Sequence, residues 1–136
     1  MDTTLINFDK KIVASAAILA AVAIMLGAFG AHGLRDIISA KALISFETGV
    51  RYQMYHALAL FVIGCAMSIP ANTRKWVYRF FIFGIILFSG SIYLLSLKEV
   101  VPFGVSFLGP ITPMGGLLLI VGWLRLLYGI LKVKKV

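Results

Sequence analysis

Residues 46–60 read FETGVRYQMYHALAL and carry Glu47, Arg51, Tyr52, Gln53 and His56, the densest group of chemically able side chains in the sequence. Glu47 and Arg51 are four apart, the spacing at which a carboxylate and a guanidinium pair along one helix face. His56 falls about 40° round a helix from Tyr52 and about 60° from Gln53. His32 lies among small residues (GAHG), and Ser89, Tyr93 and Ser96 share a helix face through steps of four and three. Thr112 precedes Pro113 in the order of an N-cap followed by a first-turn proline, and the positive end of such a helix favours a carboxylate or phosphate. In apolar surroundings such groups suit headgroup binding or a proton relay. Tyrosine, histidine and arginine together also suit a quinone headgroup.

Familiar catalytic arrangements are missing. His32, His56 and Glu47 are the metal candidates, but the sequence has no HxxxH or HExxH spacing and only one cysteine; closed zinc sites take four ligands. There is no Ser-His-Asp order, phosphate loop or dinucleotide fingerprint. The expectation is a protein that is not an enzyme and holds no metal or cofactor. Each residue also has a structural use. Glu47 and Arg51 can satisfy one another, His56 can bond between helices, His32 can cap a helix, and serines and tyrosines are frequent interhelical glue.

The elements that must position these residues are membrane spans. Of the 136 residues 61% are hydrophobic and 13% charged. Soluble domains carry about 25% charge, so a water-soluble fold is excluded, as are a disordered chain and a disulfide scaffold. A hydrocarbon core about 30 Å thick takes roughly 20 apolar residues of helix. Four stretches supply them, at about residues 12–34, 47–69, 75–97 and 112–131, and fill a single transmembrane domain covering 1–136. They are apolar on all sides, which suits helices and not barrel strands. The expected fold is all-α, an integral membrane four-helix bundle. Residues 35–46 (RDIISAKALISF) alternate apolar and polar positions. They read either as a short interfacial helix between helices 1 and 2 or as an extension of the second span into water. Lys10-Lys11 followed by an apolar run also resembles a signal peptide, but the run outlasts the usual apolar region of about 7–15 residues.

Basic residues set the orientation. With the N-terminus cytoplasmic, that side receives Lys10, Lys11, Arg74, Lys75, Arg79, Lys132, Lys134 and Lys135, and the other receives Arg35, Lys41 and Lys98. Eight against three places both termini in the cytoplasm. Trp76 and Trp123 then fall towards the inner interface. His32, Glu47, Arg51, Tyr52, Gln53, His56, Ser89, Tyr93 and Thr112 all fall in the outer half, where they make up a candidate ligand pocket. The net charge of +8 is spread over span ends with no nucleic-acid-binding motif, so nucleic acid is not an expected partner. Small residues provide for packing: Ala16, Ala20, Ala23, Gly27 and Ala31 line one helix face, and Gly115, Gly122 and Gly129 repeat every seven residues.

Four stretches taken in order, GAFGAHGL, FETGVRYQMYHALAL, LFSGSIYLLSL and GPITPMGGLLLIVGW, resemble the bacterial YgdD family of small membrane proteins, catalogued as domain of unknown function 423. The eukaryotic transmembrane protein 256 is a more distant likeness. The resemblance covers residues from about 12 to 123 and implies a bacterial plasma-membrane protein with an uncharacterised role and no agreed catalytic residues. Three functions compete. The first is an outward-facing pocket that binds a lipid, a small amphiphile or a membrane partner and supports envelope integrity. The second is a transporter or channel for a small solute or proton, built from several copies. The third is a quinone- or lipid-binding accessory subunit of a membrane complex. The partners expected are the bilayer, such a ligand, and either further copies or a larger complex.

Overall fold

Helices account for all the regular structure in the computed structural model, which describes residues 7–134. Helix α1 spans Lys10–Phe29 and continues as a π-helical turn, Gly30–Leu34. Asp9 caps α1, its side chain accepting from the Ile12 amide at 3.2 Å. Helix α2 spans Ala40–Cys65, with Ser39 as N-cap accepting from the Ala42 amide at 3.2 Å. Helix α3 (Ala71–Ile85), a π turn (Ile86–Gly90) and α4 (Ser91–Ser96) form a second interrupted rod. A 3-10 turn, Ser106–Leu108, leads to α5, Ile111–Leu131. Among the described residues three rods are long and apolar enough to cross a membrane: Lys10–Leu34, Ala71–Ser96 and Ser106–Leu131.

Helix α2 differs most from expectation. No separate interfacial helix precedes it; residues 40–46 are its own first turns. Ser39 starts the helix there, and Phe46, 1% exposed, packs on Gly30, where an added Cβ would lie 3.0 Å from the Phe46 ring. The helix also ends at Cys65, before Pro70. The linker is held by Arg74, whose Nη1 donates to the Ile69 carbonyl at 2.6 Å and the Met67 carbonyl at 3.4 Å. Pro70 serves as the residue before α3.

Small residues set the packing. α1 and α2 run antiparallel: Gly30 faces Phe46, Gly27 faces Val50 and Gly64 faces Ile12 and Val13. The Asp9 amide donates to the Gly64 carbonyl at 2.8 Å and closes this hairpin at its far end. α5 runs antiparallel to the α3–α4 rod. Gly115 meets the backbone of Phe88, Gly122 meets Phe81 and Gly129 meets Thr73, while Gly84 of α3 receives Leu119. The seven-residue glycine repeat is thus a line of close approaches, each possible because no side chain intervenes. α2 joins the two pairs, touching both α1 and the α3–α4 rod. The main apolar cluster joins Ile12, Ala16, Leu60, Ile63, Val77, Phe81, Ile85 and Leu119. A smaller one joins Leu34, Ile38 and Phe46.

Candidate functional site

Five of the nine candidate residues gather where α2 meets its neighbours. Gln53, 3% exposed, spends its amide on two helices. Nε2 donates to the Leu19 carbonyl of α1 at 2.9 Å, and Oε1 accepts from the Tyr93 hydroxyl of α4 at 2.7 Å. Ser89, in the π turn, donates to the Gly49 carbonyl at 2.7 Å. Gly49 itself has no room for a side chain, because the Tyr93 ring occupies that space. A polar seam therefore ties α1, α2 and the α3–α4 rod together at one level. Buried polar groups in lipid need such partners, since no water supplies them.

His56 lies deeper on the same side of α2 and is 5% exposed. The Trp123 indole N–H donates to its Nε2 at 3.1 Å, and its Nδ1 lies 2.7 Å from the Tyr52 carbonyl. An indole nitrogen only donates, so Nε2 carries the lone pair and Nδ1 carries the proton, which it donates to Tyr52. Both ring nitrogens are engaged. Trp123, expected at the cytoplasmic headgroups, turns its N–H inward because the imidazole offers an acceptor there. Tyr52 is 42% exposed and lies against Phe88, ring centroids 5.1 Å apart. Tyr52, His56, Phe88, Gly116 and Trp123 border a lateral groove of about 360 Å³.

The remaining four candidates lie elsewhere. Thr112 is inside α5, which starts at Ile111, because Pro110 already has helical angles of φ −68° and ψ −20°. Its hydroxyl is 2.6 Å from that of Ser91, which ties α5 to α4. His32, Glu47 and Arg51 are exposed. Arg51 Nε donates to the backbone carbonyl of Glu47 at 3.5 Å. Glu47 and His56 are nine residues apart, about 180° round the helix, so the charged pair and the imidazole occupy opposite faces of α2.

A larger cleft, about 540 Å³, opens at the end of the molecule that carries Lys41 and Lys98. Its lining includes the charged Lys41, Lys98 and Glu99, the hydroxyl of Thr112 and the apolar Ala42, Ile92 and Leu95. Of the nine candidates only Thr112 lines it. Lys41, Lys98 and Glu99 carry a legible signal, charge next to a span end, but their convergence depends on helix packing. Among the described residues no three histidine, cysteine, aspartate or glutamate side chains are placed to hold a metal.

Residues 26–116 match the family model described as "Protein of unknown function (DUF423)" and contain all nine candidates. The chain belongs to the DUF423 family. It is 43% identical over 124 residues to the UPF0382 membrane protein SSP2132 of Staphylococcus saprophyticus, covering 91% of this chain and 99% of that one. It is 41% identical over 128 residues to the UPF0382 membrane protein YwdK of Bacillus subtilis, covering 90% and 98%. A UPF0382 membrane protein of Haemophilus influenzae is 38% identical, covering 82% and 86%. No solved structure matches the chain. Relatives of this length and name, with three span-capable rods, make this DUF423 chain a bacterial-type membrane protein of a family without an assigned activity.

Proposed function

We propose that this DUF423 protein crosses the plasma membrane four times as a helical bundle with both termini in the cytoplasm. In this reading it holds the anionic headgroup of a lipid or small amphiphile in the cleft between α2, α4 and α5 and so supports envelope integrity. One observation carries the reading: a cleft of about 540 Å³ is lined by two lysines, Lys41 and Lys98, against one carboxylate, Glu99, together with apolar Ala42, Ile92 and Leu95. That is the division of chemistry an amphiphile needs, charge for the headgroup and hydrocarbon for the chain. The eight-to-three distribution of basic residues supports an outward position for this end. α2 matches the span-capable rod Ala71–Ser96 at 26 residues and packs antiparallel to α1, which supports its being the fourth span.

The proton-relay reading has less support. Glu47 and Arg51 face away from His56, whose two nitrogens are both engaged. The aromatic groove at Tyr52 and Trp123 favours a flat-ringed ligand such as a quinone as the second reading. Native mass spectrometry from lipid separates the two. An anionic amphiphile retained by the wild type and lost in Lys41→Ala/Lys98→Ala supports the cleft. Retention in that variant, with loss in Tyr52→Ala, moves the ligand to the groove. At about 1 kcal/mol per basic residue near the surface, removing both lysines costs about 2 kcal/mol, about 30-fold in affinity.

A further inference from the structure

On the face of α2 turned away from the rest of the chain, Ile44, Arg51, Leu58 and Cys65 recur every seven residues, with Glu47 and Tyr55 between them. All six are exposed; Ile44 is 61%, Tyr55 56% and Leu58 55% accessible. Neighbouring contacts fix the level of the charged pair. Gly27 faces Val50 and Gly30 faces Phe46, so Glu47 and Arg51 stand beside the run of α1 and its π turn that is uncharged from Ile12 to Leu34. Arg35, the nearest charge on that strand of chain, lies eight residues past Gly27. That is about 12 Å of helix. On the opposite flank the Ser89–Gly49 bond seats the same turn of α2 against a rod uncharged from Phe80 to Leu97.

An ionised group at such depth is costly and normally faces protein or water. A lipid phosphate drawn in to meet Arg51 would repel Glu47. Lipid tails satisfy neither. A surface with one acid and one base a single turn apart is complementary to itself. The seven-residue recurrence is the pattern of helices crossing with a left-handed twist; the shared direction of insertion makes the two helices parallel.

We propose that a second copy of this chain covers this stripe, in a two-fold dimer whose axis runs along the membrane normal, with Arg51 of each copy paired to Glu47 of the other. Copies inserted the same way set equal residues at equal depth. Each Arg51 then reaches outward by about one helical turn, roughly 6 Å, to the opposite carboxylate. Both copies use the same patch, so the assembly closes. Glu47 and Arg51 become two reciprocal, charge-assisted contacts shielded from lipid. The stripe is separate from the cleft, so the dimer does not depend on the cleft's ligand; it rests on the reading of α2 as the fourth span.

Cys65, the single cysteine, lies on the same stripe and reports on it directly. A disulfide requires Cα atoms within about 7 Å, which facing heptad positions provide. Mild copper–phenanthroline oxidation in native membranes is expected to yield a covalent dimer from the wild type. Glu47→Arg alone and Arg51→Glu alone are each expected to lower the yield at least tenfold, and the double reversal to restore it, which also shows that the reversed side chains permit folding. A wild-type chain that stays monomeric, or equal cross-linking in both single reversals, overturns the proposal. So does a monomer that retains a lipid which Arg51→Ala loses, because the occupant is then a headgroup.

Discussion

Trp123 donates its indole N–H to His56 Nε2 across 3.1 Å and so joins α5 to α2. The bond fixes the imidazole with its proton on Nδ1, facing the Tyr52 carbonyl. Trp123→Phe keeps an aromatic ring but leaves Nε2 without a donor. The expected loss is about 1–3 kcal/mol of stability, read as a lower unfolding midpoint in detergent micelles. Nitrogen NMR of the wild type should show a protonated Nδ1 and a bare Nε2; the opposite tautomer would break the link.

Gln53 and Tyr93 act as a pair. Gln53→Leu orphans the Tyr93 hydroxyl, and Tyr93→Phe orphans Gln53 Oε1. Interhelical hydrogen bonds in membranes are worth about 0.6–2 kcal/mol. The double variant should therefore lose less than the sum of the singles, by about 1 kcal/mol in a double-mutant cycle. Strict additivity would mean that the two side chains do not act together.

Glycines of the rods should respond by position. A Cβ on Gly115 collides with the backbone of Phe88, which cannot swing aside, whereas Gly90 has nothing within 4 Å. Gly115→Ala should force α5 off the π turn and lower the unfolding midpoint by many degrees. Gly90, with helical angles of φ −60° and ψ −45°, should accept alanine and gain about 0.5–1 kcal/mol. Equal responses at the two sites would refute the close-approach account.

Much of this is legible in the amino-acid sequence. Apolar runs announce their helices because lipid leaves the backbone few alternatives, and the glycine spacing of α5 announces a tight partner. The start of α2 was open, because RDIISAKALISF suits both an interfacial helix and a first turn; Ser39 and the seating of Phe46 on Gly30 decide it. Glu47 and His56 are expected in one pocket on the strength of their shared level, but nine residues at about 100° each put them on opposite faces of α2. The seam through Leu19, Gln53 and Tyr93 was half legible: the side chains announce a need for partners, while the Leu19 carbonyl carries no sequence signal. The cleft was hidden, since Lys41, Lys98 and Thr112 are far apart in sequence and meet only through antiparallel packing.

Photo-cross-linking from the cleft wall tests the proposed function most directly. Benzoylphenylalanine at Leu95, in the lining of the cleft, is compared with the same probe at Leu117, which is 60% exposed on α5. The account predicts that the Leu95 probe captures an anionic amphiphile enriched over the surrounding lipid and loses that enrichment in Lys41→Ala/Lys98→Ala, while the Leu117 probe reports bulk lipid in both backgrounds. Capture of the same bulk mixture at both positions, unchanged by the lysine substitutions, would contradict it.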